Sequence, residues 1–516
     1  MAILTAEELT GVHPNYAEQL PRWRYLIASY NGGFDYRAGQ LEMLRKYINE
    51  DQAPGDQYSN RLNYTALDNA CKLVVDTYKS FLFRTTPVRA FSNLQGNPMV
   101  ESFIEDVDLD GTTLDGFLKQ CNTYAMIYGS VWVGVDKPQA ENIETLAQEM
   151  ASGIRPYATM ITPENITNWT YEKQPTGRYE LTSLLVKEAE TAETTIYRLW
   201  SKETIQRYRL DTSSGSQNAT LLEEIANPIG KIPFVQLKAN ASPVRGLGTS
   251  DITDVAKIQQ SIFGLMSEAE QNIRISSHPS LVATPEVDVA AGAGAIITVE
   301  STTAPELKPY LLQPSGASID SIIKVIEQQQ ASIMKMTHLE AVSTTKTVAK
   351  SGVALQVEFN MLNNKLGDKA QELEKFEKKI WDLFQIWTGL RFDTDYFIEY
   401  KKKFDLRDDN ADIVNFKTVI EMNPPSRTLT QELYKQIARI VIKDGDALDD
   451  ITAEIDGDQL SEMPITTPEN RTQHIQEMIM GGLSDAQMLD KHPEISQADI
   501  DLAKQDLLES NNEDEV

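Results

Sequence analysis

GTSDITDVAKIQQSIFGLMSEAEQNIR (residues 248–274) and SIDSIIKVIEQQQASIMKM (318–336) decide the fold of this chain. In the first, Ile252, Val255, Ile258, Ile262, Leu265, Ala269 and Ile273 recur at helical spacing. In the second, Ile319, Ile322, Ile323, Ile326, Ile333 and Met334 do the same. Between them HPSLVATPEV, GAIITVES and LKPYLLQPSG read as short strands bounded by Pro and Gly. HLEAVSTTKTVAKSG (338–352) follows, rich in Thr, Ser and Lys and without apolar period. Then Leu355, Phe359, Leu362, Leu366, Leu373, Phe376, Ile380, Leu383 and Trp387 mark one unbroken helix. From Val353 to Leu390 it would be roughly 57 Å long. Catalytic pockets rarely need such a rod, whereas walls, spokes and pores do.

The chain has 516 residues, 41% hydrophobic and 24% charged, ordinary values for a protein with a substantial core. Its net charge of −28 argues against a broad basic face that holds DNA by neutralising phosphates. Cys71 and Cys121, the only cysteines, sit in apolar, helix-like contexts and read as reduced core thiols. With no N-terminal leader and no apolar run of 18 residues, a cytosolic protein that spans no membrane is expected.

Before the quoted helices the chain reads as helices followed by sheet, an α+β arrangement. RWRYLIASYNGG and GQLEMLRKYINE are short helices, NRLNYTALDNACKLVVDTYKSFLFRTTPV (60–88) one longer helix, and DGFLKQCNTYAMIYG (115–129) another. SVWVGVD is an alternating strand, and from Arg155 to Leu237 a β-meander is expected. DTDYFIEYKKKFDL could return to that sheet. The remainder is helical between Pro424-Pro425, Gly445, Pro464 and Pro468, and ESNNEDEV (509–516) lacks apolar anchors and is expected to be disordered.

The order of these elements resembles that of bacteriophage portal proteins, the head-to-tail connectors of tailed phages. The resemblance is carried by NACKLVVDTYKSFLFRTTP, the DLDG turn followed by Gly129 and VGVDKP, GTSDI, and SGVALQVEFNMLNNK. It implies an N-terminal α+β wing (1–248), a stem of two helices (249–276 and 317–337) flanking a β-containing clip (277–316), and a tunnel loop (338–352). A long spine helix returning to the wing (353–412), a helical crown (413–508) and the acidic tail (509–516) complete the portal fold. It further implies a dodecameric ring at one capsid vertex, assembled in the host cytoplasm and carried in the virion. Double-stranded DNA would pass through it during packaging and ejection. Terminase, capsid and scaffold proteins, and head-completion or tail proteins would dock on it.

Within that resemblance the tunnel loop is the candidate DNA contact. Thr344, Thr345, Lys346, Thr347 and Lys350 offer hydroxyls and two cations suited to weak, sequence-blind contact with phosphates. Without it, the same stretch reads as a solvated linker. Lys324 and Lys335, with Lys257, lie on polar faces of the stem helices and could face the channel or pair with Glu268, Glu270 or Glu327 of a neighbour. The apolar stripes of a helix pair alone make too little core, so packing against identical copies is the expected sink.

Other chemistry finds little support. Asp106, Asp108 and Asp110 in DVDLDGTTLDGF match the first half of a calcium loop, but Phe117 stands where a bidentate Glu should close it. A turn beside a helix start is the plainer reading. There is no phosphate loop, GxSxG elbow, HExxH or CxxC, the five histidines are scattered, and no cofactor is implied. Two other functions remain on the sequence: a non-viral acidic ring-forming scaffold or adaptor, and a hydrolase built on Asp106 to Asp115.

Overall fold

In the computed structural model, residues 3–38, 41–48, 50, 57–138, 152–212, 218–277, 280–282, 304, 310–312, 317–340, 352–404, 416–420, 427–441 and parts of 451–513 are described. They fall into two units, Met1–Phe404 and Asp405–Val516. The first unit opens with helices α1 (Ala6–Thr10), α2 (Pro14–Asn31), α3 (Gly33–Arg37), α4 (Gln57–Tyr64) and α5 (Ala70–Leu82). Two helices thus stand where the sequence predicts one across 60–88. Asn69 makes the break: its side chain accepts the Lys72 N–H as an N-cap, and its amide donates to the Tyr30 carbonyl at 2.8 Å. GQLEMLRKYINE forms no helix over 41–48 either. Met43 and Leu44 are buried beside Phe263, and the Arg61 guanidinium takes the Arg45 carbonyl, so tertiary contacts override helix propensity.

Strand β1 (Val88–Ala90) and helices α6 (Pro98–Glu105) and α7 (Leu114–Tyr128) lead into the sheets. β2 (Ser130–Asp136) is central in a three-stranded antiparallel sheet between β3 (Tyr157–Ile161) and a later strand, Phe234–Lys238. The alternation expected of β2 is absent because both of its faces are covered: Val131, Trp132, Val133 and Val135 are all buried. β4 (Ile166–Lys173), β5 (Tyr179–Glu190), β6 (Thr194–Ser201), β7 (Thr204–Asp211) and β8 (Asn218–Ala226) form the predicted meander, antiparallel and in chain order. β9 (Phe234–Lys238) then returns to β2.

The N-terminal arm straps the five-stranded sheet. Leu9 of α1 is fully buried among Leu185, Leu199, Tyr208 and Leu210. His13 donates its backbone N–H to the Thr167 carbonyl at 2.9 Å and stacks its ring on Trp169 at 4.1 Å. Its Nδ1 accepts the Asn15 N–H at 3.2 Å, so a neutral imidazole is the N-cap of α2.

Helix α8 (Thr253–Ser277) and helix α9 (Ala317–Met336) occupy the two stretches quoted first, and pack together. Between them β10 (Ser280–Val282) pairs antiparallel with β11 (Tyr310–Leu312); the strand expected at 294–301 lies outside the described residues. α10 (Gly352–Thr388) is the long helix, 37 residues and about 55 Å. Leu362, Leu366, Leu373, Phe376, Ile380 and Leu383 are buried along it, and Trp387 donates its indole N–H to the Val135 carbonyl at 2.7 Å. β12 (Phe397–Glu399) returns as expected but pairs with β1 rather than with either larger sheet. Cys71 and Cys121 are free and buried, and burial raises both thiols.

In the second unit α11 (Arg427–Val441) and α12 (Gln497–Glu513) are helical, with a small core of Ile475, Met478, Met488, Ile495, Ile500 and Ala503. α12 corrects the expected disorder over 509–513, which continue the helix; residues 514–516 of that expectation lie outside the described residues. Ser496 and Asp499 cap its start reciprocally, and no Gly or Pro interrupts 497–513, so a polar sequence still propagates a helix. Among the described residues no helix is long and apolar enough to cross a membrane.

Two predictions test this architecture. Gly129 ends α7 at φ +93°, and a Cβ there would collide with the Gly248 carbonyl. Gly129→Ala should cost about 2 kcal/mol or more, read as a lowered urea midpoint. Burial lowers the pKa of His13 below 6.5, so the unfolded chain binds a proton in a range where the fold does not. Stability contributed by His13 is therefore present above that value and falls as pH drops below it. The melting temperature of His13→Asn, which keeps a capping side chain, should fall less between neutral pH and mild acid than that of the parent chain.

Candidate functional site

Three elements converge where the first quoted helix begins. Asp251 precedes α8 and is almost wholly buried; its Oδ2 accepts Lys369 Nζ from α10 at 2.5 Å. Its Oδ1 accepts the Asn240 amide at 3.0 Å, and its backbone N–H donates to the Met126 carbonyl at 3.0 Å. Lys369 also donates to the Ala239 carbonyl at 3.3 Å. One turn earlier on α10, Lys365 lies 4.0 Å from Asp251 and over the Tyr78 ring at 4.9 Å. Burial lowers the pKa of this second ammonium, with Asp251 working against that and Lys369 adding to it. The Tyr78 hydroxyl donates in turn to the Thr337 carbonyl at the end of α9. A single polar chain thus links the start of α8, the middle of α10 and the end of α9.

The end of α9 is closed by backbone geometry. His338 takes φ +59°, its N–H donates to the Lys335 carbonyl at 3.2 Å, and the Leu339 N–H donates to the Met334 carbonyl at 2.9 Å. This is a Schellman motif with His in the left-handed position where Gly is usual, and buried Leu339 completes it. The tunnel-loop candidates begin just beyond. Thr344, Thr345, Lys346, Thr347 and Lys350 lie outside the described residues.

α8 is clamped along its inner side. Arg61 reaches Glu50 through Nε at 2.8 Å and Nη2 at 2.9 Å, and its Nη1 reaches Ser267 at 3.2 Å. Gln259 bridges the Cys71 N–H and the Ser29 carbonyl, each at 2.9 Å. Of the carboxylates named as possible partners for channel lysines, Glu268 accepts from the Tyr47 hydroxyl and Glu270 from the Ala66 N–H at 3.0 Å. Lys257 sits over the Tyr25 ring at 4.4 Å. Lys324 and Lys335 are both exposed on α9.

A second buried network holds α10 further along. Glu377 is wholly buried, and its carboxylate accepts Arg89 Nε at 2.6 Å, the Tyr400 hydroxyl at 2.6 Å and the Trp381 indole at 3.2 Å. Arg89 also reaches Asp115 at 2.6 Å. Burial opposes the Arg89 charge, but Glu377 and Asp115 together keep its pKa above the usual value.

The Asp106–Asp110 stretch is a closed turn. Asp106 accepts the Gly111 N–H at 2.9 Å and pairs with Arg155 at 2.7 Å, while Asp108 accepts the N–H groups of Asp110 and Thr112. Burial acts against the Asp108 charge, but these bonds and Thr112 hold its carboxyl below the ordinary range. Among the described residues no group of three His, Cys, Asp or Glu could hold a metal ion.

The family model described as "Phage portal protein, SPP1 Gp6-like" matches residues 27–416, and the chain belongs to this family. Several solved structures from gene transfer agent particles are also similar. One, from the virion of the native particle, has 11% identity and a TM-score of 0.36 over 71% of this chain and 88% of that one. A second, from the neck of the empty particle computed with C6 symmetry, has 10% identity and a TM-score of 0.38 over the same shares. A third, from the neck of the native particle computed with C12 symmetry, has 9% identity and a TM-score of 0.37 over 69% and 86%. No curated protein matches.

Asp251→Ala would leave Lys369 buried without its counter-charge, and should cost about 3–5 kcal/mol of folding free energy. Asp251→Leu combined with Lys369→Met should cost clearly less than the two single changes added together, measured by chemical denaturation.

Proposed function

We propose that this portal-family chain forms a ring at a single capsid vertex and serves as the conduit for double-stranded DNA in packaging and ejection. The observation that carries this reading is apolar surface on the paired helices of one chain. Ile273 on α8 is 50% exposed, and Ile323 and Val325 on α9 are 45% and 42% exposed, although Ile326 and Ile333 of the same helix are buried. α9 is thus apolar on more sides than its own subunit covers. Packing against α8 and α9 of the next copy removes that surface from water.

In this reading α8 and α9 are the stem, 277–316 the clip that receives terminase and later head-completion or tail proteins, and 338–352 the tunnel loop. The wing comprises 1–248 and meets capsid and scaffold proteins; 413–508 is the crown. Charge favours a slippery bore: the chain carries 76 acidic against 48 basic side chains, a net −28. Such a surface repels phosphates, so Lys346 and Lys350 give contact weak enough to let DNA move. The chain supplies no phosphate loop for ATP hydrolysis, and the energy for packaging comes from a docked motor.

Two experiments test the reading. Negative-stain images of the purified chain should show wide-pored rings. Ile323→Glu with Val325→Glu should abolish them while leaving the far-ultraviolet circular dichroism of the subunit unchanged; rings that persist would rule out this face as the contact. Lys346→Ala with Lys350→Ala should leave rings intact and alter DNA packaging or retention. Normal packaging and retention by that variant would remove the loop from the mechanism.

A further inference from the structure

We propose that Lys238, Arg245 and Lys379 together bind a doubly charged oxyanion of the phosphate class beside β9. Three stretches of chain bring these cations to one place. Lys238 is the last residue of β9, an edge strand of the three-stranded sheet. Gln236, two residues earlier and on the same face of the strand, donates its side-chain amide to the Gly246 carbonyl at 2.7 Å. That bond lays the turn carrying Arg245 against this face, and the Trp169 indole holds the same turn by donating to the Arg245 carbonyl at 3.1 Å. α10 packs against β9, with Lys369 donating to the carbonyl of Ala239, next to Lys238, and it carries Lys379 further along.

Among the described residues none of the three has an ion pair. Lys238 is half-buried, yet its ammonium makes no hydrogen bond there either. The charges that act on it are Lys379 and Arg245, of its own sign, against Glu372 alone, and Glu372 already holds Lys375 at 2.8 Å. Burial first, and then Lys379 and Arg245, lower the pKa of Lys238. Arg245 is exposed, and its guanidinium lies over the Tyr179 ring at 3.6 Å, an arrangement that leaves its edge N–H groups free to donate. Asp382, on the turn after Lys379, is close to Lys231 and Lys379 but pairs with neither. A half-buried ammonium facing cations is unfavourable, and an anion among them relieves it.

Donors from a strand end, a turn and a helix suit an ion with several acceptor oxygens and more than one charge. A phosphate dianion offers both, whereas a single carboxylate presents two oxygens along one edge and one charge. The chain as a whole, at net charge −28, repels anions, so retention of one reports this local grouping and not a diffuse attraction. The three cations belong to neither the proposed stem, the clip nor the loop, so this inference stands apart from the conduit reading.

The test is isothermal titration of the full chain with inorganic phosphate in about 150 mM sodium chloride, which screens long-range effects, with acetate as the control. Saturable binding of one phosphate per chain is expected, with acetate about tenfold weaker or more. Lys238→Met should weaken phosphate binding about tenfold or more. Because it removes an uncompensated charge, it should also melt no lower than the parent chain in phosphate-free buffer. Lys379→Gln changes an exposed residue and should weaken binding several-fold, which keeps the test decisive if Lys238→Met fails to fold. Displacement of the bound phosphate by a short DNA duplex would make a nucleic-acid backbone the source of the group, and no displacement would leave free phosphate; either outcome upholds the site. The proposal is overturned if phosphate does not bind saturably, if acetate binds as tightly, or if the affinity is unchanged in the folded variants.

Discussion

The buried pair between Asp251 and Lys369 is the constraint around which the helices are arranged. Taking both charges out of water costs several kcal/mol per ion before any attraction is counted. What makes the pair tolerable is its surroundings: Asn240 satisfies the second Asp251 oxygen and the Ala239 carbonyl takes another Lys369 proton. Such a pair stabilises little beyond what a well-packed apolar pair would. Its consequence is positional. The first residues of α8 can lie in only one place along α10, and through Lys365, Tyr78 and Thr337 the end of α9 is tied to that same place.

The long helix carries a second key of opposite sign. Glu377 lies eight residues after Lys369, so the two buried charges are about 12 Å apart along the axis. Sliding α10 by one turn, about 5.4 Å, would carry Lys369 away from Asp251 and Glu377 away from Arg89 and Tyr400 at once. Apolar ridges alone would tolerate such a shift far better, since Leu362, Leu366, Leu373, Phe376 and Ile380 nearly repeat at that step. The two ion sites therefore set the register, and the apolar stripe supplies most of the cohesion.

Much of this was legible in the sequence for one reason: long amphipathic helices and an antiparallel meander both write their periodicity over many residues. α8, α9, α10 and β4 to β8 appear as the spacing predicts. The misreadings fall where a single side chain outweighs the period. Asn69 divides a helix, Arg61 holds 41–48 out of one, and two covered faces remove the alternation of β2. In α12 the cap at Ser496 and the absence of Gly and Pro outweigh the lack of apolar anchors. The ion sites were invisible for another reason. Asp251 in GTSDI and Lys369 are 118 residues apart, and nothing in either segment marks one as the partner of the other.

The same pairs bear on how a DNA conduit of this kind would work. α10 is rich in lysine, and a reader of the sequence could count those cations as a phosphate-binding rod. The structure commits several of them internally: Lys369 and Lys365 to Asp251, Lys375 to Glu372, and Lys378, with Lys402 beyond the helix, to Glu374. Cations held this way contribute little to counterion release from a passing duplex, because their charge is already balanced. In the proposed conduit, the buried Lys369 and Lys365 of the long helix are therefore poor candidates for gripping DNA. The lysines proposed above for that contact, Lys346 and Lys350, lie outside these pairs.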